Sequence, residues 1–310
     1  MSVMGQGYVV IEATDTARWH DFMTGVVGAM DAGTGVDGAR LYRIDERAFR
    51  FAVKAGETDR LAASGFLVAP GTLDALTDKL KAAGRPVEEA GADETAARNA
   101  TRMVRTSDPD GYPLEFYEGM GPAETPFVSP LGVTRFVTGE QELGHSVFGV
   151  SDFSASLAFY RDVIGLGASD LPAFQLFGPE GPTTHAAFLY GAGGRHHCVA
   201  IMEMPPTPSA CVHLMVELEN LEEVGKAYDR AIKGGWPISA TLGKHENDNV
   251  TSFYVQTPGG FDLEIGFDGV IVDRATWRTT ECNNISIWGH EWAWQKAMKE
   301  AQAVETAAAE

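Results

Sequence analysis

Two segments of the chain repeat one order of apolar and polar positions. The first runs from Gly7 to Asp15 and reads GYVVIEATD, and the second runs from Gly144 to Asp152 and reads GHSVFGVSD. Each begins as an apolar strand and ends with an Asp in a turn that contains Thr or Ser, which suits a helix cap. The pattern therefore predicts a strand followed by a capped helix in both halves.

Apolar residues at helical spacing follow each of these caps. A glycine then closes each stretch, Gly28 in the first half and Gly165 in the second, and glycine is the residue that most often ends a helix. The apolar positions are Trp19, Phe22, Met23, Val26 and Val27 in the first half, and Leu157, Tyr160, Val163 and Ile164 in the second.

A second unit of the same kind lies further along each half. The strand-like run 65–68 precedes a helical pattern at 73–80, and the run 213–216 precedes a helical pattern at 221–232. The chain is thus predicted to contain four strand–helix–strands units, paired into two tandem domains of an α+β fold.

Both halves also finish alike, with DPDGYPLE at residues 108–115 and TPGGFDLE at 257–264. Between the halves, a stretch that contains Pro and Gly is typical of a linker. The predicted boundaries are a first domain at 1–125, a linker at 126–140, a second domain at 141–275 and a C-terminal extension at 276–310.

Composition places the chain among soluble globular proteins. Its 310 residues are 44% hydrophobic and 22% charged, and no apolar run approaches the ~20 residues of a membrane span. The N-terminus lacks the pattern of a signal peptide, so we expect a cytoplasmic protein. A formal net charge of −19 argues against nucleic acid and against membranes as partners, because phosphate groups are repelled.

The chain has three cysteines, Cys198, Cys211 and Cys282. An odd number without Cys-x-x-Cys spacing argues against a disulfide framework and against a structural zinc site. We therefore expect buried thiols.

Three residues of the second half form a candidate metal site. His145, His213 and Glu264 each lie on a strand-like segment, and two histidines with one carboxylate are the ligands of non-haem Fe(II) oxygenases. Aligning the halves places Tyr8 opposite His145, Gly65 opposite His213, and Glu115 opposite Glu264. The first half has neither histidine, so its domain is predicted to be metal-free, and the second domain is predicted to carry the chemistry.

Further motifs give the chain a resemblance to a known family. The longest is GKHENDNVTSFYVQTPGGFDLE at 243–264, and Arg195-His196-His197 and the run 212–216 agree with it. With these motifs the chain resembles the type I extradiol ring-cleaving dioxygenases of the vicinal oxygen chelate superfamily over nearly its whole length. The resemblance implies domains of two paired βαβββ modules. The most similar members known to us cleave 2,3-dihydroxybiphenyl or the catechol ring of a secosteroid.

The resemblance also implies roles for individual side chains. His197 is the expected acid–base residue, since imidazole titrates near neutral pH, with His196 as its adjacent competitor. His245 and Tyr254 are expected to hydrogen-bond the bound catechol oxygens. Asn247 and Asp248 are expected at the substrate-binding site, where they order the loop and orient His245, although an Asn-Asp pair is by itself most often an ordinary turn.

An apolar pocket is expected around the aromatic ring of the substrate. By the same resemblance, its lining would be Val147, Leu176, Phe188, Ala200, Met202 and Met204. Plain core packing is an equally good interpretation for each of these residues singly. Strict alternation along one strand would place His197 on the face opposite Ala200 and Met202. A bulge must therefore intervene, or one of these assignments is wrong.

The expected cofactor is Fe(II), and Mn(II) fits the same ligands. The implied reaction cleaves a catechol ring with O₂ beside its two hydroxyls, in the degradation of aromatic compounds. Family members are commonly homo-oligomers, often octamers, which is the expected assembly. Two alternatives stay open: a metal-dependent glyoxalase-like isomerase or lyase, and a non-enzymatic protein of the same superfamily that binds small molecules.

Overall fold

A computed structural model describes residues 2–309 except 177 and 179, and the backbone alone for residues 302–309. The first half forms the following elements: β1 Val3–Ala13, α1 Thr16–Phe22, β2 Met30–Thr34, β3 Arg40–Arg43, β4 Phe51–Ala55, β5 Arg60–Val68, α2 Leu73–Ala82, β6 Glu88–Glu89, α3 Ala92–Ala97, β7 Arg102–Ser107 and β8 Pro113–Glu118.

The second half has the same order apart from one additional short strand, Ala173–Phe174, and the lack of a helix equivalent to α3 in its described residues, and it adds a tail. Its elements are β9 Gly144–Val150, α4 Phe153–Ala158, β10 Gly167–Asp170, β11 Ala173–Phe174, β12 Thr184–Tyr190, β13 Val199–Glu203, β14 His213–Glu217, α5 Leu221–Lys233, β15 Ile238–His245, β16 Thr251–Gln256, β17 Asp262–Phe267, β18 Ser286–Gly289 and α6 Ala293–Ala309.

Strand pairing joins these elements into four βαβββ modules. In the first half, β1 pairs antiparallel with β5, and each closes its own module by a parallel pairing, β1 with β4 and β5 with β8. In the second half, β9 pairs antiparallel with β14, while β9 and β13 are parallel, as are β14 and β17. The predicted α+β fold of paired modules is confirmed.

The predicted helix ends are confirmed as well. The side chains of Asp15 and Asp152 accept hydrogen bonds from the backbone at the starts of α1 and α4. Both helices continue as a π-helical turn, and Gly28 and Gly165 then adopt positive φ angles of 81° and 86°. A side chain at either glycine would be strained in this left-handed conformation.

The two halves pack against each other through large apolar side chains. The ring of Trp19 lies 5.8 Å from that of Phe261, and the ring of Phe22 lies 5.0 Å from that of Trp236. The hydroxyl of Tyr112 donates a hydrogen bond to the Gly149 carbonyl, 2.7 Å away. The halves therefore share one continuous core.

The register corrects one detail of the internal alignment. Gly65 pairs with Tyr8 and Glu115, as Met215 pairs with His145 and Glu264. The position equivalent to His213 is therefore Ala63, and placing Gly65 opposite His213 was wrong by two residues. A β-bulge between Gln6 and Tyr8 is one of the irregularities that a simple alignment of sequence does not show.

All three cysteines are free and buried, as predicted. None of the helices in the described part of the chain has the length and apolarity needed to cross a membrane.

Candidate metal centre and its surroundings

The candidate ligands lie in two adjacent rows of side chains on one face of the sheet. One row crosses four strands through His145, Met215, Glu264 and Tyr254. The next row runs through Phe188, Ala200, Val147 and His213. Because paired residues in neighbouring strands share a face, the pairing alone brings both histidines, Glu264 and three predicted pocket residues to one side.

The three candidate ligands also meet at their donor atoms. His145 Nε2 lies 3.2 Å from His213 Nε2 and 3.4 Å from Glu264 Oε2, and His213 Nε2 lies 3.5 Å from the same oxygen. With metal bonds of about 2.1 Å, three ligands on one face of an octahedron lie about 3 Å apart. The arrangement therefore fits a divalent ion bound on one side and open on the other.

The protonation states of this group suit metal binding. Burial lowers the pKa of His145 to about 4, so that its ring is neutral at pH 7. Burial alone would raise the pKa of Glu264, but contacts with His145, His213 and His245 hold that pKa well below its usual value. Neutral imidazoles and an ionised carboxylate are the forms that bind metal.

His197 lies directly against this group. Its ring stacks on the ring of His145 with centroids 3.9 Å apart, and Phe188 meets it edge to face at 4.9 Å. His197 precedes the start of β13 at Val199, so strand alternation does not govern the direction of its side chain. The apparent conflict with Ala200 is thereby resolved. Burial holds the pKa of His197 well below 6.5.

His245 and Tyr254 form a hydrogen-bonded pair beside Glu264. His245 Nε2 lies 2.8 Å from the Tyr254 hydroxyl and 3.3 Å from Glu264 Oε1, and its Nδ1 lies 2.8 Å from the Ile285 carbonyl. Although burial opposes it, contact with Glu264 raises the pKa of His245 to about 9. Burial and Glu264 also raise the pKa of Tyr254 well above its usual value.

The remaining predicted pocket residues lie outside the two rows of side chains: Met202 is on β13, Met204 follows that strand, and Leu176 is in the turn after β11. Met202 is two residues beyond Ala200 and pairs with Gly149, and Met204 lies against Gly149 as well. Leu176 packs into a small apolar cluster with Phe174, Ala186, Phe188, Cys282 and Ile285. The last two come from the segment after β17, so the C-terminal extension contributes to this part of the molecule.

Asn247 and Asp248 lie in the turn after β15. Asp248 is buried, and its Oδ2 lies 4.0 Å from His197 Nδ1. Asn247 is half-buried and makes no side-chain hydrogen bond within the described residues. The structure thus brings Asp248 to the centre but gives Asn247 no contact there.

Sequence reasoning missed two polar residues at this centre. The Ser252 hydroxyl donates a hydrogen bond to Glu264 Oε1 at 2.6 Å. His290 is buried, with its Nε2 3.1 Å from the Ser252 carbonyl and its ring 4.3 Å from that of His245. Alternation from Tyr254 could have indicated Ser252. His290 is brought in by β18, which pairs with β15 and which no local pattern linked to the site.

In the first half, an arginine lies beside Glu115, the residue equivalent to Glu264. The Tyr8 hydroxyl donates to Glu115 Oε2 at 2.6 Å, and Arg98 Nε lies 2.9 Å from the same oxygen. A Cβ on Gly65 would come within 2.3 Å of the Tyr8 ring, so this ring needs a glycine beside it. The guanidinium of Arg98 therefore supplies the positive charge beside the carboxylate in this half.

Comparisons with known proteins agree with this picture. Residues 142–265 match the model described as the Glyoxalase/Bleomycin resistance protein/Dioxygenase superfamily, and residues 6–56 match a model of the first domain of dihydroxybiphenyl dioxygenase BphC. An iron-dependent extradiol dioxygenase of Rhodococcus jostii (strain RHA1) is 41% identical, with 94% of this chain and 98% of that protein aligned. A biphenyl-2,3-diol 1,2-dioxygenase of Paraburkholderia xenovorans (strain LB400) is 40% identical, with 96% and 98% aligned.

Solved structures give the same result. The crystal structure of 2,2',3-trihydroxybiphenyl 1,2-dioxygenase from Sphingomonas wittichii strain RW1 superposes with a TM-score of 0.82 at 32% identity, covering 94% of this chain and all of the other. A Mn(II)-bound glyoxalase from Novosphingobium aromaticivorans superposes with a TM-score of 0.79 at 20% identity, which shows the shared fold alone. The chain belongs to the extradiol ring-cleaving dioxygenases of the glyoxalase/bleomycin resistance protein/dioxygenase superfamily.

Proposed function

We propose that this protein cleaves the ring of a catechol that carries a second aromatic ring or a similarly large apolar substituent, at Fe(II) held by His145, His213 and Glu264. The observation that carries the proposal is the mutual spacing of the three donor atoms, 3.2 to 3.5 Å. The iron-dependent relative at 41% identity supports Fe(II) as the metal. Mn(II) fits the same ligand set.

Fe(II) on these ligands would lower the pKa of the catechol hydroxyls and let electrons pass from the ring to O₂. The protein must then bind the ring, accept its protons and return one. His197 is neutral at pH 7 and lies against His145, so it is placed to accept a proton from a bound hydroxyl. His245 Nε2 lies 2.8 Å from the Tyr254 hydroxyl, and the pair is placed to hydrogen-bond a catechol oxygen.

The pocket walls favour an apolar substituent on the ring. Phe188, Ala200 and Val147 lie in one row with His213, and Met202 and Met204 extend the same side of the sheet. Methionine side chains adapt to ligands of different shape. Relatives named for biphenyl-2,3-diol support a two-ring catechol as the substrate class. In this proposal Asn247 and Asp248 order the loop beside His245.

The division of labour between the halves belongs to the same proposal. The first domain, residues 1–125, would be a metal-free scaffold that packs on the catalytic domain, residues 141–275, across the linker. The extension after 275 would complete the site through His290 and Ile285. The active form would be a homo-oligomer.

The metal assignment is tested by a His213→Ala variant. We expect this variant to lose bound iron and at least ~100-fold in kcat/KM for 2,3-dihydroxybiphenyl, because the two remaining ligands are too few to hold the metal. Iron content would be measured by mass spectrometry and turnover by O₂ uptake. His20→Ala, which changes a histidine of the first half, should keep both. Full iron content in His213→Ala would refute the assignment.

The substrate class is tested by comparing kcat/KM for 2,3-dihydroxybiphenyl with that for catechol itself. We expect a clear preference for the two-ring compound, because only it can bury a second ring against the apolar wall. Equal rates, or a preference for catechol, would contradict the proposed pocket and leave the metal assignment standing.

A further inference from the structure

A buried carboxylate lies behind the candidate acid–base histidine. Asp170 is fully buried at the end of β10 and does not take part in the proposed reaction. Its Oδ1 accepts a hydrogen bond from the Thr280 hydroxyl. Its Oδ2 lies 3.0 Å from His196 Nε2, and neither atom forms a hydrogen bond in the part of the chain that the structure describes.

His196 connects this carboxylate to His197. Its Nδ1 lies 3.1 Å from His197 Nδ1, and both rings are buried. Trp277 packs edge to face on the His196 ring at 5.7 Å and anchors its own indole N–H on the Ser169 carbonyl. Asp170, His196 and His197 therefore form a series of successive contacts, and the ring of His197 in turn stacks on the ring of His145.

The chemistry of these groups selects one arrangement of protons. A carboxylate oxygen only accepts hydrogen bonds, so the Nε2 of His196 that faces it must carry a proton. The two atoms do not form a hydrogen bond in the structure although they lie 3.0 Å apart, so the arrangement inferred here requires a side-chain rotation that aligns them. In neutral His196 the Nδ1 then accepts, and His197 Nδ1 must donate to it. The remaining nitrogen of His197, Nε2, is left unprotonated.

We propose that Asp170 and His196 are positioning residues that fix His197 in the tautomer whose Nε2 can accept a proton from the substrate. The inference rests on the proposed acid–base role of His197. A carboxylate that holds a histidine in one tautomer does the same in serine proteases, where replacing it by an amide gives the wrong tautomer. Here the carboxylate acts through an intervening imidazole.

No other described carboxylate competes closely for the Nδ1 of His197. Asp248 Oδ2 lies 4.0 Å away, beyond a direct hydrogen bond, whereas His196 Nδ1 lies at 3.1 Å. Burial of Asp170 without an arginine or lysine partner among the described residues would be costly for a purely structural group. The pairing with His196 and Thr280 gives that carboxylate its partners.

The kinetic test compares two replacements of His196. In His196→Leu no acceptor faces His197, and we expect kcat to fall about 10- to 100-fold, the usual cost of losing such a supporting partner. KM for 2,3-dihydroxybiphenyl and iron content should stay within about twofold, since neither the ligands nor the pocket changes. In His196→Asn an oxygen can occupy the place of Nδ1, and we expect most of kcat to return.

Asp170→Asn tests the carboxylate while conserving its shape. An amide N–H facing His196 Nε2 would reverse the proton order, so kcat should fall again with unchanged KM and iron content. A structural role alone predicts a stable, fully active Asp170→Asn, and that result would overturn the inference. An equal loss in His196→Leu and His196→Asn would overturn it too.

A direct readout of the tautomer separates this inference from the proposed function. Solid-state NMR of metal-free protein labelled with ¹⁵N-histidine should show His197 protonated at Nδ1 in the wild type and at Nε2 in Asp170→Asn. The same tautomer in both would refute the inference, whatever the activity. If instead His197→Ala keeps full activity, the acid–base role itself fails, and the tautomer result still stands as measured.

Discussion

Buried polar groups near the sheet have partners that decide their protonation. Glu264 receives contacts from three histidines and Ser252, so it stays ionised although it is buried. Asp108 shows the opposite outcome. Its carboxylate accepts hydrogen bonds from the backbone of Asp110 and Tyr112, at 3.0 and 2.9 Å, and from the Tyr160 hydroxyl at 3.1 Å, but forms no salt bridge among the described residues. The nearby Arg85 guanidinium donates to the backbone carbonyl of Asp108 instead. Burial raises the pKa of Asp108 to about 6.

This raised pKa makes stability depend on pH in a definite direction. The folded state binds the proton of Asp108 more tightly than the unfolded state, where the pKa is about 3.9, so its stabilising contribution is lost as pH rises through about 6. Asp108→Asn mimics the protonated form. The difference in unfolding free energy between Asp108→Asn and the wild type should shift by roughly 1–3 kcal/mol in favour of the variant as the pH rises from 4 to 7.5. Urea unfolding at both pH values would measure this, and a pH-independent difference would contradict it.

The candidate ligand set was predicted from single residues because the chain repeats itself, and the structure brings its three donor atoms together. His145 and His213 begin equivalent strands, and the first half has no histidine at the positions aligned with them, which pointed to the second half as the metal-binding one. The direction of the His197 side chain could not be predicted, because it depends on where β13 begins. Ser252 was missed although it lies two residues before Tyr254 on β16, and His290 was missed because its contacts with residues distant in sequence leave no local signal.

Among the elements, the short strand β18 connects the C-terminal extension to the site. It pairs with β15 and places His290 and the adjoining segment against His245 and Tyr254. Trp292, just after β18, packs on the Tyr254 ring with centroids 4.8 Å apart. The helices and long strands were predictable from periodicity, whereas β18 is four residues long and has no flanking repeat.

Removing β18 should therefore damage the site without unfolding the protein. We expect a chain that ends at residue 285 to bind iron but to lose at least ~10-fold in kcat/KM, since His245 and Tyr254 become exposed to solvent. A chain that ends at residue 301, which lacks only the last part of α6, is the matched control and should keep full activity. Equal activity of the two truncated chains would show that β18 is dispensable.

For the whole molecule, the two halves differ in the cation that accompanies equivalent carboxylates, Glu115 in the first half and Glu264 in the second. Arg98 fills this role in the first half, with side chains of Arg98 and Glu115 only 13% and 7% exposed. A metal would do so in the second half. If the metal binds as proposed, this difference would let two halves with the same module order share one core while differing in their chemistry.

Arg98→Met should leave Glu115 buried without its cation and cost about 3 kcal/mol of unfolding free energy. Adding Glu115→Gln should restore much of this loss, because the buried charge is then removed. Denaturant unfolding of both variants measures the effect. Iron content should remain one per chain throughout, and a second bound iron, or no loss in the single variant, would contradict this account of the first half.

The central claim is that the protein cleaves a catechol ring with O₂ at Fe(II). Its most direct test is to load the protein with Fe(II) under anaerobic conditions, add 2,3-dihydroxybiphenyl and ¹⁸O₂, and determine the mass of the product by mass spectrometry. Extradiol cleavage predicts a yellow, ring-opened product that contains both atoms of O₂ in addition to the two oxygens of the catechol. Its mass should be four units higher than that of the product from ¹⁶O₂, provided that rapid reduction prevents exchange with solvent. A product of unchanged mass, or no consumption of O₂ by the iron-loaded protein, would contradict the account.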